Sequence, residues 1–192
     1  NAMGSALVAP FGGVERRFST APYCVGVPRA GKSPIVLDFA TSIVAEGKVL
    51  NASFGGKKLP DDALVSPDGK VSADPHVLYG DYTPTELRNY RNGAGAIRAF
   101  GDHKGSGLAF MCELLGGSLT GTGATEEGRP FANGMLSFYL DPKQVDPDDF
   151  FPADVAKYTD LVKSTKPIKA GGEVLVPGEP EERMRAERGR DG

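Results

Sequence analysis

The sequence predicts an α/β fold of the α+β kind: a mixed, non-Rossmann β-sheet packed with helices. Three observations lead there. Short apolar runs that read as strands interleave with amphipathic helical stretches, often through hairpin-like links rather than helical crossovers. No Rossmann glycine fingerprint follows a strand, because Gly93-Ala94-Gly95 leads to Arg98 where the third glycine should stand. Finally, 26 glycines and 15 prolines in 192 residues, without any repeat, describe many short elements with structured connections.

Ser5 to Ala9 reads as a first strand, closed by Pro10-Phe11-Gly12-Gly13. Tyr23 to Val27 and Pro34 to Phe39 read as two more, the second as a buried strand. Between them Gly26–Ser33, GVPRAGKS, matches the phosphate-loop pattern G-x-x-x-x-G-K-[ST] letter for letter. A phosphate loop must open a helix. Here Pro34 pushes Ser33 toward extended backbone and a β-branched run follows. The stretch is therefore expected to be a turn between strands, with Arg29, Gly31 and Lys32 at its tip. A P-loop nucleotide-binding module at Gly26–Ser33 is the alternative reading, and a ligand-free structural or dimerisation domain is a third.

Ala40-Thr41-Ser42 is placed to cap a helix carrying Ile43, Val44, Gly47 and Leu50, which Gly55-Gly56 ends. Ala63-Leu64-Val65 and the segment around Val71 flank Ser66-Pro67-Asp68-Gly69, a turn sequence, and so predict a hairpin. Thr85 to Tyr90 reads as a short helix. The strongest helix opens at Gly105-Ser106-Gly107, with Leu108, Met111, Cys112 and Leu115 as its core stripe and Gly116-Gly117 as its end. Met135 to Leu140 reads as a strand, Asp154 to Lys163 as a helix, and Glu173 to Val176 as a last strand. Glu181 to Arg188 is a helix polar all round.

The length fits one domain, residues 4–192, with Asn1-Ala2-Met3 resembling a cloning remnant and the whole resembling a segment of a longer protein. A net charge of −3 argues against nucleic acid or an anionic membrane as the main partner. Cys24 and Cys112 form no disulfide framework, which with the lack of an apolar span predicts a cytoplasmic protein. His76 and His103 are the only histidines, too few and too isolated for a zinc site, and no carboxylate near His76 suggests a triad.

Two places could carry chemistry. Gly101-Asp102-His103-Lys104-Gly105-Ser106-Gly107 combines free N–H groups at a helix start, permissive glycines and a Lys suited to phosphate. The plainer reading is that the glycines serve packing and Lys104 is solvated. Asp38, at a strand end, either caps the next helix or accepts a bond from a ligand hydroxyl.

Several segments together resemble the malate/L-lactate dehydrogenase-like oxidoreductases: Val8-Ala9-Pro10-Phe11-Gly12-Gly13, PIVLDFATSIVAEGKV from Pro34 to Val49, Lys58-Leu59-Pro60, Asp68-Gly69 with Asp74-Pro75, HKGSGLAFMCELLGGSLTG from His103 to Gly121, and VPGEPE from Val176 to Glu181. They occur in family order over nearly the whole chain. The resemblance implies the central NAD- or NADP-binding domain of a dimeric enzyme that passes hydride between nicotinamide and a small 2-hydroxy or 2-oxo carboxylate. It places dinucleotide contacts at Val36, Asp38, Phe39, Ala40, His103, Lys104, Pro177, Gly178 and Glu179, and a substrate contact at Thr20. The family's Gly-Thr-Asn-Pro around that threonine is here Ser19-Thr20-Ala21-Pro22. The family's catalytic histidine lies in an N-terminal helical region without a counterpart here, so no catalytic residue and no metal ligand is expected in this chain. Lys48 stands where the imine-reducing branch carries Asp, which points to the 2-hydroxy-acid branch. The segment from Val77 to Phe100 is longer than the family pattern and has no assigned role.

Overall fold

A computed structural model of the chain describes residues 5–126, 128–130 and 132–192. The remnant-like Asn1-Ala2-Met3 lie outside the described residues. In chain order the strands are β1 (Val8–Ala9), β2 (Tyr23–Arg29), β3 (Lys32–Phe39), β4 (Leu64–Val65), β5 (Val71–Ser72) and β6 (Ala96–Arg98). The helices are α1 (Glu46–Ser53), α2 (His76–Tyr79), α3 (His103–Cys112), α4 (Pro142–Val145), α5 (Phe150–Lys163) and α6 (Glu179–Asp191). Two compact units contain them: Asn1–Tyr23 with Phe39–Leu136, and Cys24–Asp38 with Ser137–Gly192.

The first unit holds a four-stranded sheet in the order β1-β6-β4-β5. β1 runs parallel to β6, while β4 is antiparallel to both β6 and β5, so the sheet is mixed as the sequence predicts. Val8, Val49, Leu64, Leu78 and Ile97 are fully buried in one core that α1 and α2 cover. The expected hairpin is β4-β5, turning at Ser66–Gly69 with the Gly69 N–H on the Ser66 carbonyl at 2.9 Å.

The long segment after Val77 is tied down by one side chain. The Arg16 guanidinium donates to the carbonyls of Leu78, Tyr90, Gly93 and Gly95 at 3.1, 2.6, 2.6 and 2.6 Å. Its planar fork binds four carbonyls of this segment at once, from the end of α2 to the start of β6. Thr85 to Tyr90 is not the predicted helix; a single 3₁₀ turn follows at Tyr90–Asn92, capped by the Asn89 side chain.

In the second unit β2 and β3 pair as a ribbon across the two-residue turn Ala30-Gly31, with Gly31 at φ +64°. Strand reaches Arg29 and resumes at Lys32, and Ser33 donates its hydroxyl to Glu182 at 2.8 Å. No helix begins there. Gly26–Ser33 therefore lacks the strand-loop-helix geometry that a phosphate loop requires. Lys32→Ala should leave nucleotide affinity within about twofold, as for a surface substitution, in a fluorescence titration.

Several expectations change. The strand ending at Phe39 is not buried: Val36 is 38% and Leu37 40% exposed. Thr41 and Ser42 cap no helix, since α1 begins at Glu46 with Ala45 before it; Ser42 instead bridges to Ala99. Among the described residues, 135–140 and 173–176 form no strand, because strand propensity makes a strand only where a partner edge lies alongside. The core face of α3 is not its large apolar stripe, for Met111 is 48% and Leu115 39% exposed while Gly105, Ser106, Ala109 and Glu113 are buried. The helix also does not stop at Gly116-Gly117 but runs on with π-helical bonding through Glu113–Ser118.

Candidate functional site

In the first unit the hydrogen bonds gather several predicted residues around Thr41, which is fully buried. Its N–H and hydroxyl donate to the Thr20 carbonyl at 2.9 and 3.0 Å, and the hydroxyl also reaches the Ala21 carbonyl at 3.1 Å. The Thr41 carbonyl in turn accepts from the Phe100 N–H at 3.1 Å. Phe100 leads into α3, and its ring meets the Phe39 ring edge-on at 5.4 Å, with Tyr23 on Phe39 at 5.9 Å. Thr20, Phe39, Ala40 and the helix start with His103 and Lys104 are thus joined through one buried threonine and one aromatic row.

The helix start itself differs from the sequence picture. Its N–H groups are mostly engaged: Lys104 donates to Gly101, Gly105 to Phe100 and Ser106 to Asp102 carbonyls, at 3.1, 3.0 and 3.1 Å. The two glycines have different roles. A Cβ on Gly105 would lie 2.1 Å from the Phe100 carbonyl oxygen, so this glycine serves packing. A Cβ on Gly107 would meet nothing within 4 Å. Lys104 is exposed on the first turn, and the His103 ring lies edge-on to Phe11 at 5.9 Å. Arg98 pairs with Asp102 at 2.8 Å and with Asp62 at 3.3 Å, which anchors the residue preceding α3. Beside them Pro10 to Val14, Gly69, Val71 and Arg98 line a cavity of about 270 Å³.

His76 pairs with Asp74, a bond that the sequence reading did not assign. Its Nδ1 bonds Asp74 at 2.7 Å, and its ring stacks flat on Tyr82 at 4.1 Å. Burial works to raise the Asp74 pKa, but the hydrogen bonds from the His76 backbone and ring outweigh it and hold the carboxyl below its ordinary value. The signal was a side chain only two residues away.

The second unit gathers Val36 with Pro177-Gly178-Glu179. Gly178 has φ +92°, and a Cβ there would stand 3.2 Å from the Val36 nitrogen, so both its backbone and its packing demand glycine. Gly178→Ala should destabilise this unit by about 1–3 kcal/mol, read by urea unfolding. Glu179 accepts from the Val176 N–H at 3.0 Å and pairs with Lys163. The Lys163 bond first, then that backbone bond, lower its pKa. Asp38 is exposed at the end of this unit's strand and caps no helix, which removes its structural alternative.

A family model described as malate/L-lactate dehydrogenase matches residues 1–192. The chain belongs to the malate/L-lactate dehydrogenase family. Hydroxycarboxylate dehydrogenase B of Escherichia coli is 32% identical over 196 residues, covering 99% of this chain and 51% of that protein. A Delta(1)-pyrroline-2-carboxylate reductase of Burkholderia multivorans is 37% identical over 150 residues, 74% of this chain and 40% of the relative. A solved E. coli structure carrying the malate/lactate dehydrogenase name superposes with TM-score 0.80 at 32% identity, covering 99% of this chain and 51% of the other. The chain spans about half the length of the curated relatives it matches. Membership makes it part of an oxidoreductase family whose fold is the mixed α/β one described above.

Taken unit by unit, the candidate residues carry donor chemistry that fits parts of a nicotinamide dinucleotide. In the first, Lys104 offers an exposed cation at a helix start, which suits phosphate; in the second, Asp38 offers an exposed carboxylate, which suits a hydroxyl.

Glu113 is the residue sequence reasoning missed. It stands four residues after Ala109 and eight after Gly105, on the small-residue face that is buried, and that spacing is the signal that could have found it.

Proposed function

We propose that residues 4–192 are the NAD(P)-binding part of a longer, homodimeric 2-hydroxy-acid dehydrogenase. Val36, Asp38, Phe39, Ala40, His103, Lys104, Pro177, Gly178 and Glu179 would hold NADH or NADPH, and Thr20 would touch a small 2-oxo or 2-hydroxy carboxylate. The bound cofactor supplies the hydride; the protein supplies position and charge. The observation that carries this reading is the joining of Thr20, Ala40 and the Lys104 helix start through Thr41 and Phe100, in a chain matched throughout by the family model.

Within that reading, Lys104 neutralises phosphate charge, Asp38 accepts from a hydroxyl, and the strained Ala21, at φ +33°, shapes the backbone beside Thr20. Asparagine, the family residue at that position, tolerates positive φ better than alanine does. Lys48, rather than Asp, favours 2-oxo acids over cyclic imines as substrate. The test is NADH and NADPH consumption with pyruvate, oxaloacetate and Delta(1)-pyrroline-2-carboxylate, using the chain extended upstream. Turnover of an oxo acid supports the proposal; turnover of the imine alone reassigns the branch, and none at all with tight dinucleotide binding removes the substrate class.

A further inference from the structure

Glu113 is 3% exposed, and among the described residues its carboxylate accepts from neutral donors alone. Oε1 accepts from the Ser19 N–H at 2.9 Å, the Ser19 hydroxyl at 2.7 Å and the Thr125 hydroxyl at 2.9 Å; Oε2 accepts from the Thr125 N–H at 2.8 Å. Burying a carboxylate without a cation is costly, and four converging donors are what makes it tolerable. Two of those donors belong to the residue immediately before Thr20. On the far side, Thr41 grips the carbonyls of Thr20 and Ala21. Residues 19–21 are therefore clamped from both ends, across a backbone that Ala21 bends to positive φ. The Thr20 hydroxyl takes part in none of these bonds.

We propose that Glu113 is a positioning residue: its buried carboxylate fixes Ser19, and through it aims the Thr20 side chain at the substrate. This rests on the substrate role proposed for Thr20. The covalent path matters, because Glu113 belongs to the same helical run as Lys104. One rigid element thereby sets both the phosphate-binding cation and the substrate-facing threonine.

The test is a double-mutant cycle in the full-length enzyme, with pyruvate and oxaloacetate as probes. Glu113→Ala should raise the oxo-acid KM about tenfold or more while NADH affinity stays within about twofold, since only substrate contacts are disturbed. Thr20→Ala should do the same, and the double variant should be no worse than either single, because both remove one interaction. Glu113→Gln keeps the shape and one acceptor oxygen for three of the four donors, so it should restore KM to within about threefold. Ser19→Ala, which removes the hydroxyl's bond to Glu113 and the bond it accepts from the Ala21 N–H, carries the comparison if Glu113→Ala fails to fold. A KM that does not move, or losses from Glu113 and Thr20 that multiply, would make Glu113 merely structural and overturn the proposal. If the wild type reduces no oxo acid, the substrate reading fails separately. Amide exchange then decides the positioning role: in the variants that fold, the Ser19 and Thr125 amides should exchange faster, and unchanged exchange overturns it.

Discussion

Mixed with NADH and pyruvate or oxaloacetate, this 192-residue chain should turn over about 10²–10⁴-fold more slowly than the same chain extended upstream, the factor a positioned acid typically contributes. Hydride transfer to a ketone leaves an alkoxide that must take a proton. Only two histidines are present to give it. His103 stands beside Lys104 at the exposed start of α3, with its ring against Phe11, a place suited to phosphate rather than to the reacting carbon. His76 opens α2, held by Asp74 through Nδ1 and stacked on Tyr82, and among the described residues these contacts join it to neither Thr20 nor the start of α3. NADH consumption measured for the two chains side by side is the check. Robust turnover by the shorter one, abolished by His103→Ala or His76→Ala, would put the acid in this chain.

Lys104→Ala should weaken NADH binding about tenfold or more at low salt, the size of a hydrogen bond to a charged group. The structure strengthens this expectation in one respect. With the Lys104, Gly105 and Ser106 N–H groups already donating to backbone carbonyls, the helix start has few free donors for a pyrophosphate, and the side-chain cation must supply most of the attraction. A cation exposed at the surface is screened as the Debye length falls from about 10 Å at 0.1 M salt to about 3 Å at 1 M. The difference between wild type and variant should accordingly shrink as salt rises in a fluorescence titration with NADH. An equal affinity at low salt would leave Lys104 as solvated surface.

Local chemistry was legible wherever one residue type fixes one conformation. Gly31 made the β2-β3 turn, Pro34 kept Ser33 extended, and Ser66 to Gly69 closed the β4-β5 hairpin. These signals need no knowledge of what lies across from them. The missed features all depend on a partner. Residues 135–140 have strand propensity but form no strand among the described residues, and the buried face of α3 is chosen by how closely Phe100 approaches Gly105 rather than by where its largest apolar side chains fall. Glu113 is the extreme case, since its burial is explained only by Ser19 and Thr125, distant in sequence by 94 and 12 residues. The candidate contacts come from the family motifs rather than from composition, and in the structure Thr41 bonds the Thr20 carbonyl while Gly178 lies close against Val36.

The central claim is that this chain binds a reduced nicotinamide dinucleotide through Lys104 and its neighbours, and not a nucleoside triphosphate through Lys32. Calorimetric titration of the chain and its Lys104→Ala and Lys32→Ala variants, each with NADH, NADPH and magnesium ATP, tests it most directly. NADH or NADPH should bind, Lys104→Ala should weaken that binding and Lys32→Ala spare it, and magnesium ATP should give no heat. Binding of magnesium ATP that Lys32→Ala abolishes, with neither dinucleotide bound, would contradict it.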